Sequence, residues 1–140
     1  MAEFISELDA CLKDDDKIWE LDFSLEYQSD TIGKVVVPAG FQTDFASMPR
    51  WIPIASNALL NKAHREGTLH DYLYRKGCYP QVTRKQADDV FLEAMIARGK
   101  PWYVAHSMWL GVRIGGWAAF QKLCVFDKLC ATFKTKSIAA

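Results

Sequence analysis

The chain has 140 residues, 50% of them hydrophobic and 24% charged, which suits one globular domain with a buried core. Lysine plus arginine and aspartate plus glutamate balance at 17 each, and no basic cluster is interleaved with aromatics, so nucleic acid is excluded as a partner on electrostatic grounds. Met1 to Glu7 has neither a basic nor an apolar export region, so cytoplasmic synthesis without a signal peptide is expected.

Residues 1 to 17 show weak periodicity and end in Asp14-Asp15-Asp16, which reads as a solvated turn rather than a metal site. From Ile18 the pattern sharpens. Trp19, Leu21, Phe23, Leu25 and Tyr27 alternate with polar residues at the period of two of a half-buried strand. Turn residues Gln28 to Gly33 separate it from Lys34-Val35-Val36-Val37, a second strand closed by Pro38, and together they predict a hairpin. Pro38 to Arg50, with two prolines and a glycine, predicts a structured loop. Asp44 within it is either a turn-forming residue or a carboxylate presented to a metal.

Ser56 can cap a helix running through Ala63, Leu69 and Leu73 to about Lys76, stopped by Gly77 and Pro80. Thr83 with Gln86 forms a capping box for a second helix through Ala87, Val90, Phe91, Ala94 and Met95, ending near Gly99. Pro101 fits the first turn of a third helix carrying Trp102, Val104, Met108, Trp109, Val112 and Trp117. A last apolar segment follows, and residues 134 to 140 form a polar tail to a domain spanning 1 to 133. The apolar run from Trp102 to Phe120 contains His106 and Arg113, so it reads as a core helix rather than a membrane span, with surface docking through its tryptophans as the other reading. Cys11, Cys78, Cys124 and Cys130 lack Cys-x-x-Cys spacing and read as reduced, partly buried thiols.

One stretch concentrates acid/base groups. His70 and Asp71 leave their helix about 100° apart, so imidazole and carboxylate serve two adjacent points, and Tyr74 lies one turn on from His70. With a tight turn and antiparallel helices, Asp88 comes level with His70. A carboxylate on one imidazole nitrogen leaves the other as a base. Asp71 is then placed to hold a hard cation, with Asp44 and loop carbonyls completing a calcium shell. The same groups also make a satisfied buried network that pins two helices together. A zinc or iron site from His64, His70, Asp71 and Asp88 is a third arrangement, disfavoured because His64 sits about 120° off the face of His70.

Val37-Pro38-Ala39-Gly40-Phe41, Thr43-Asp44-Phe45-Ala46-Ser47-Met48-Pro49-Arg50, His70-Asp71-Tyr72-Leu73-Tyr74 and Ala87-Asp88-x-Val90-Phe91 together resemble an uncharacterised family of bacteriophage and prophage proteins. Thr43-Asp44-x-x-Ser47, His70-Asp71-x-x-Tyr74 and Asp88-x-x-Phe91 also resemble, more distantly, the core of bacterial and fungal secreted phospholipase A2 enzymes. That resemblance implies His70 as the base, Asp88 as its orienting carboxylate and Tyr74 as the partner of Asp88. It implies calcium held by Asp71, Asp44 and the Phe45 carbonyl. Ala46 and Gly67 stand where those enzymes carry a cysteine pair. The expectation is an α+β fold: an N-terminal β-hairpin, a structured loop and a mainly helical body around an antiparallel helix pair. Two functions are expected of it. One is a phage-encoded, calcium-dependent lipid esterase acting at a lipid or membrane surface, made in the host cytoplasm and virion-associated. The other is a non-catalytic phage structural or tail protein, partnered by other phage structural proteins, that keeps the network as a scaffold.

Overall fold

The computed structural model describes residues 1–13, 18–43, 63–75, 77–116 and 120. The fold is α+β, and the described residues form six short strands followed by three helices. Strands β1 (Glu3–Phe4), β4 (Leu25–Ser29) and β5 (Gly33–Val37) form one antiparallel sheet in the order β1-β4-β5. Strands β2 (Ala10–Leu12), β3 (Trp19–Leu21) and β6 (Gln42–Thr43) form a second, ordered β2-β3-β6.

The expected hairpin is β4-β5, with Leu25 opposite Val37 and Ser29 opposite Gly33. Its turn closes because the Ser29 hydroxyl accepts from the Thr31 and Ile32 amides and Gly33 takes φ +81, a left-handed conformation that favours glycine. Leu25, Tyr27, Val35 and Val37 are fully buried on one face, as the period of two requires.

The single strand read from Trp19 to Tyr27 is instead two strands in different sheets. The chain bends at Asp22 and Phe23, where the Asp22 amide bonds the Asp9 carbonyl, and Phe23 emerges 68% exposed. Apolar alternation cannot report such a bend, because Leu21 and Leu25 keep the same parity on either side of it. Residues 1 to 17, weakly periodic in the sequence, supply β1 and β2, strands of two and three residues whose partners lie elsewhere in the chain. Within the proline-bounded loop, Gln42–Thr43 likewise pairs with β3.

Helix α1 runs from His64 to Leu73, with Ala63 at its N-cap and Tyr74 at its C-cap, and it stops before the Lys76 that the sequence predicts. Ser56, Ala58 and Leu59 lie outside the described residues, as do the acidic run 14–16, Lys76, Trp117 and the tail. Helix α2 (Arg84–Ala97) begins at the predicted capping box: the Thr83 hydroxyl accepts from the Gln86 amide while the Gln86 side chain accepts from the Thr83 amide. Helix α3 (Trp102–Gly115) follows Pro101 at its N-cap and stops at Gly116. No helix among the described residues is long and apolar enough to cross a membrane.

One core joins the β1-β4-β5 sheet to α1 and α2 through Leu25, Tyr27, Val35, Leu69, Leu73 and Val90. A second joins α2 to α3 through Phe91, Met95, Ala105, Met108 and Val112. Helix α1 is therefore enclosed, and Glu66, Thr68, His70 and Asp71 are buried along it beside Leu69 and Leu73. Buried polar groups need partners, so this helix dictates where the polar contacts of the molecule converge.

Candidate functional site

His70 is 3% exposed and its Nε2 lies 2.8 Å from Asp88 Oδ1. Glu66, one turn earlier on α1, takes Arg98 at 3.2 Å and Lys100 at 3.4 Å just past the far end of α2. These contacts at opposite ends set α1 and α2 antiparallel, which brings Asp88 level with His70. The imidazole packs between the rings of Tyr74 and Phe91, with centroids 4.1 Å and 4.9 Å away.

Asp88 is wholly buried and meets three helices. From α1 it takes His70 and the Tyr74 hydroxyl on Oδ1. From α3 the Arg113 guanidinium donates to Oδ2 at 2.9 Å, and Arg84, one turn before Asp88 on α2, stands 3.8 Å from the same oxygen. Arg84 also donates to the Arg113 carbonyl at 3.0 Å, which ties the two cations together. Burial opposes ionisation of Asp88, but the hydrogen bonds from His70, Tyr74 and Arg113 outweigh it and hold the carboxyl below its ordinary range. Tyr74 is shifted the other way: burial, then its bond to Asp88, raises the phenol well above its ordinary value.

The ionisation of Asp88 decides the histidine tautomer. A carboxylate only accepts, so Nε2 must carry the proton it shares, and the lone pair of a neutral imidazole then sits on Nδ1. Nδ1 has no hydrogen-bond partner among the described residues. The pair thus has the form of an oriented general base.

Asp71 leaves α1 on a different bearing, and its Oδ2 accepts from the Thr43 hydroxyl at 2.7 Å. Strand β6 thereby reaches α1, and Arg75 reinforces the junction by donating to the Gln42 carbonyl at 2.8 Å and lying 4.4 Å over the Phe41 ring. Asp44 and Phe45, the other two expected calcium ligands, follow Thr43 in sequence and lie outside the described residues. Asp71 is an oxygen donor of the kind a hard cation takes, but one carboxylate falls short of the six to eight oxygens of a calcium shell. The alternative zinc or iron set does not form. His64, His70, Asp71 and Asp88 are all described, yet among the described residues no three such side chains converge on one point.

Asp89, next to Asp88 in sequence, has partners of its own. Lys85 reaches it at 2.5 Å from one turn earlier, and the Trp109 indole donates to it at 3.2 Å from α3. Cys11 is exposed rather than partly buried, while the Cys78 thiol is buried as expected. Four partners were not singled out from the sequence. Arg84 had a signal in its spacing of four from Asp88. Arg113, the one arginine in an apolar stretch, signals a buried carboxylate nearby. Glu66, one turn before His70, shares its buried face. Thr43 had none, because its contact depends on how a strand from the second sheet meets α1.

No curated protein and no solved structure matches the chain. A family profile described as protein of unknown function (DUF1353) matches residues 19–112, from β3 through the pairing of α1 with α2 and most of α3. The matched span carries both His70 and Asp88, and over most of its length the chain belongs to the DUF1353 family.

Proposed function

We propose that the chain is a phospholipase A2-like esterase of bacteriophage or prophage origin, in which His70 activates water against a lipid ester. The observation that carries this reading is the His70–Asp88 pair, with Nε2 tied to the carboxylate and Nδ1 left as a base. Nδ1 takes a proton from water as the water oxygen attacks the ester carbonyl carbon, Asp88 steadies the resulting imidazolium, and Tyr74 holds Asp88. Calcium bound by Asp71 with Asp44 and the Phe45 carbonyl would polarise that carbonyl. Low free calcium inside cells places the activity outside them, in a virion or after lysis. The test uses a short-chain phospholipid kept monomeric in solution, so that no interface is needed. Fatty acid should be released with calcium, should fall by at least about a hundredfold in His70→Ala, and should stop with chelator. No release by pure protein at saturating calcium would sink the reading.

The wholly buried, four-partnered Asp88 favours a second reading, a non-catalytic phage structural protein that keeps this network as a scaffold. A carboxylate already neutralised by Arg113 polarises imidazole less than an unpaired one. In that case Asp88→Asn lowers stability with no activity to lose, and calcium leaves the melting temperature of the wild type unchanged.

A further inference from the structure

The two oxygens of Asp88 are held from different helices. Oδ1 serves α1: His70 Nε2 lies 2.8 Å away and the Tyr74 hydroxyl donates to the same atom. Oδ2 serves α3, from which Arg113 donates at 2.9 Å. Arg84 stands 3.8 Å from Oδ2, outside hydrogen-bond reach, so among the described residues Arg113 alone donates to that oxygen. Arg84 acts on the backbone instead. Its guanidinium donates to the Arg113 carbonyl at 3.0 Å and fixes the last turn of α3 over the carboxylate, while buried Val112 packs that turn into the core between α2 and α3.

A guanidinium only donates, so whatever atom faces Arg113 must accept. With Arg113 in place, Asp88 remains an anion although wholly buried, both of its oxygens accept, and the proton shared with His70 lies on Nε2. Without Arg113, the carboxylate loses its nearest counter-charge and the only donor to Oδ2, and burial then favours the neutral acid. A neutral carboxyl donates its proton to Nε2. The one proton of a neutral imidazole then moves to Nδ1, and the nitrogen that serves as base is covered.

We propose that Arg113 is a positioning residue for His70: by occupying Asp88 Oδ2 it keeps the carboxylate an acceptor toward Nε2 and so keeps Nδ1 the bare nitrogen. A residue on α3 thereby sets the tautomer of a histidine on α1 that it does not touch, with Asp88 on α2 as the link. The use of that tautomer rests on the esterase reading, in which Nδ1 takes the proton of water, but the tautomer itself is read without turnover.

The experiment is long-range proton–nitrogen NMR at neutral pH on the full chain labelled with [15N]histidine. The chain has three histidines, and loss of one signal set in His70→Ala assigns His70. The wild type should show a protonated Nε2 and a bare Nδ1. In Arg113→Gln the bare-nitrogen signal should leave Nδ1. Arg113→Lys should keep it there, because the guanidinium reaches Asp88 through one nitrogen only and an ammonium can supply the same charge and donor. A second variant tests the same point without altering Arg113. In Asp88→Asn the donor-only guanidinium must face the amide oxygen, which turns the amide nitrogen toward His70, so the proton should again move to Nδ1. Circular-dichroism melting shows which variants are folded. A protonated Nδ1 in the wild type overturns the proposal, as does a folded Arg113→Gln or Asp88→Asn whose Nδ1 stays bare. If the signals shift as stated and no fatty acid is released, the esterase reading fails and the role of Arg113 stands. If fatty acid is released and the signals do not shift, the reverse holds.

Discussion

Asp88 can be ionised inside the protein because every oxygen lone pair facing a cation or hydroxyl is used: His70 and Tyr74 on one oxygen, Arg113 and Arg84 on the other. Removing its charge leaves Arg113 facing a neutral amide. Loss of a buried partner costs about 3–5 kcal/mol, discounted here because the Arg113 side chain is 27% exposed. Asp88→Asn should therefore destabilise by about 2–3 kcal/mol in urea unfolding at neutral pH. Since the folded Asp88 value lies below the ordinary 3.8, its stabilisation is complete above that pH and is lost as pH falls through the lower folded value. The acid limb of a stability–pH curve should accordingly be shallower in Asp88→Asn than in the wild type. Tyr27 behaves oppositely. Burial, then its 2.8 Å bond to Glu93, raises the phenol above its ordinary 10.0, so the folded chain keeps a proton that the unfolded chain releases first. Its contribution is complete below pH 10 and declines as pH climbs above it. Tyr27→Phe should cost about 1 kcal/mol near neutrality and flatten the alkaline limb.

Among elements, the closure of α3 on α1 is narrow. A Cβ on Gly116 would stand 2.5 Å from the Tyr74 hydroxyl and 3.3 Å from its ring, and that hydroxyl is committed to Asp88. Gly116→Ala should thus destabilise by about 1–3 kcal/mol through overpacking. In Tyr74→Phe, which has no hydroxyl to displace, the same alanine should cost measurably less in a double-mutant cycle. The start of α2 is set locally, by the reciprocal bonds of Thr83 and Gln86. Thr83→Ala should cost about 1 kcal/mol in thermal unfolding. The contrast between the two shows what an element can announce in advance. A capping box lies within four residues and is legible in sequence, whereas the contact of Gly116 with Tyr74 exists only once α3 is docked.

Across the whole molecule, two small sheets hold one central helix against its neighbours. Helix α1 is too polar for a core helix by composition, and it is buried only because each polar group finds a partner from elsewhere: Thr43 for Asp71, Asp88 for His70, Arg98 and Lys100 for Glu66. The β1-β4-β5 sheet is stapled to α2 where Glu93 accepts from Tyr27 and Thr31. Salt should weaken the exposed pairs but leave the Asp88 cluster largely intact, since buried pairs are screened far less.

The sequence by itself determined the α+β order, the β4-β5 hairpin, the start of α2 and the one-turn spacing of His70 and Tyr74. Each of these rests on periodicity, capping chemistry or short helical spacing, which act over a few residues. Only the tertiary structure decided that the strand from Trp19 breaks between two sheets, that β1, β2 and β6 exist, and that Arg113, Glu66 and Thr43 belong to the polar network. Strands of two or three residues carry no period of their own, and a buried charge can be met by any cation that the packing brings to it. The physical reason is reach: local stereochemistry selects the elements, whereas the desolvation of buried polar groups is settled between residues far apart in the chain.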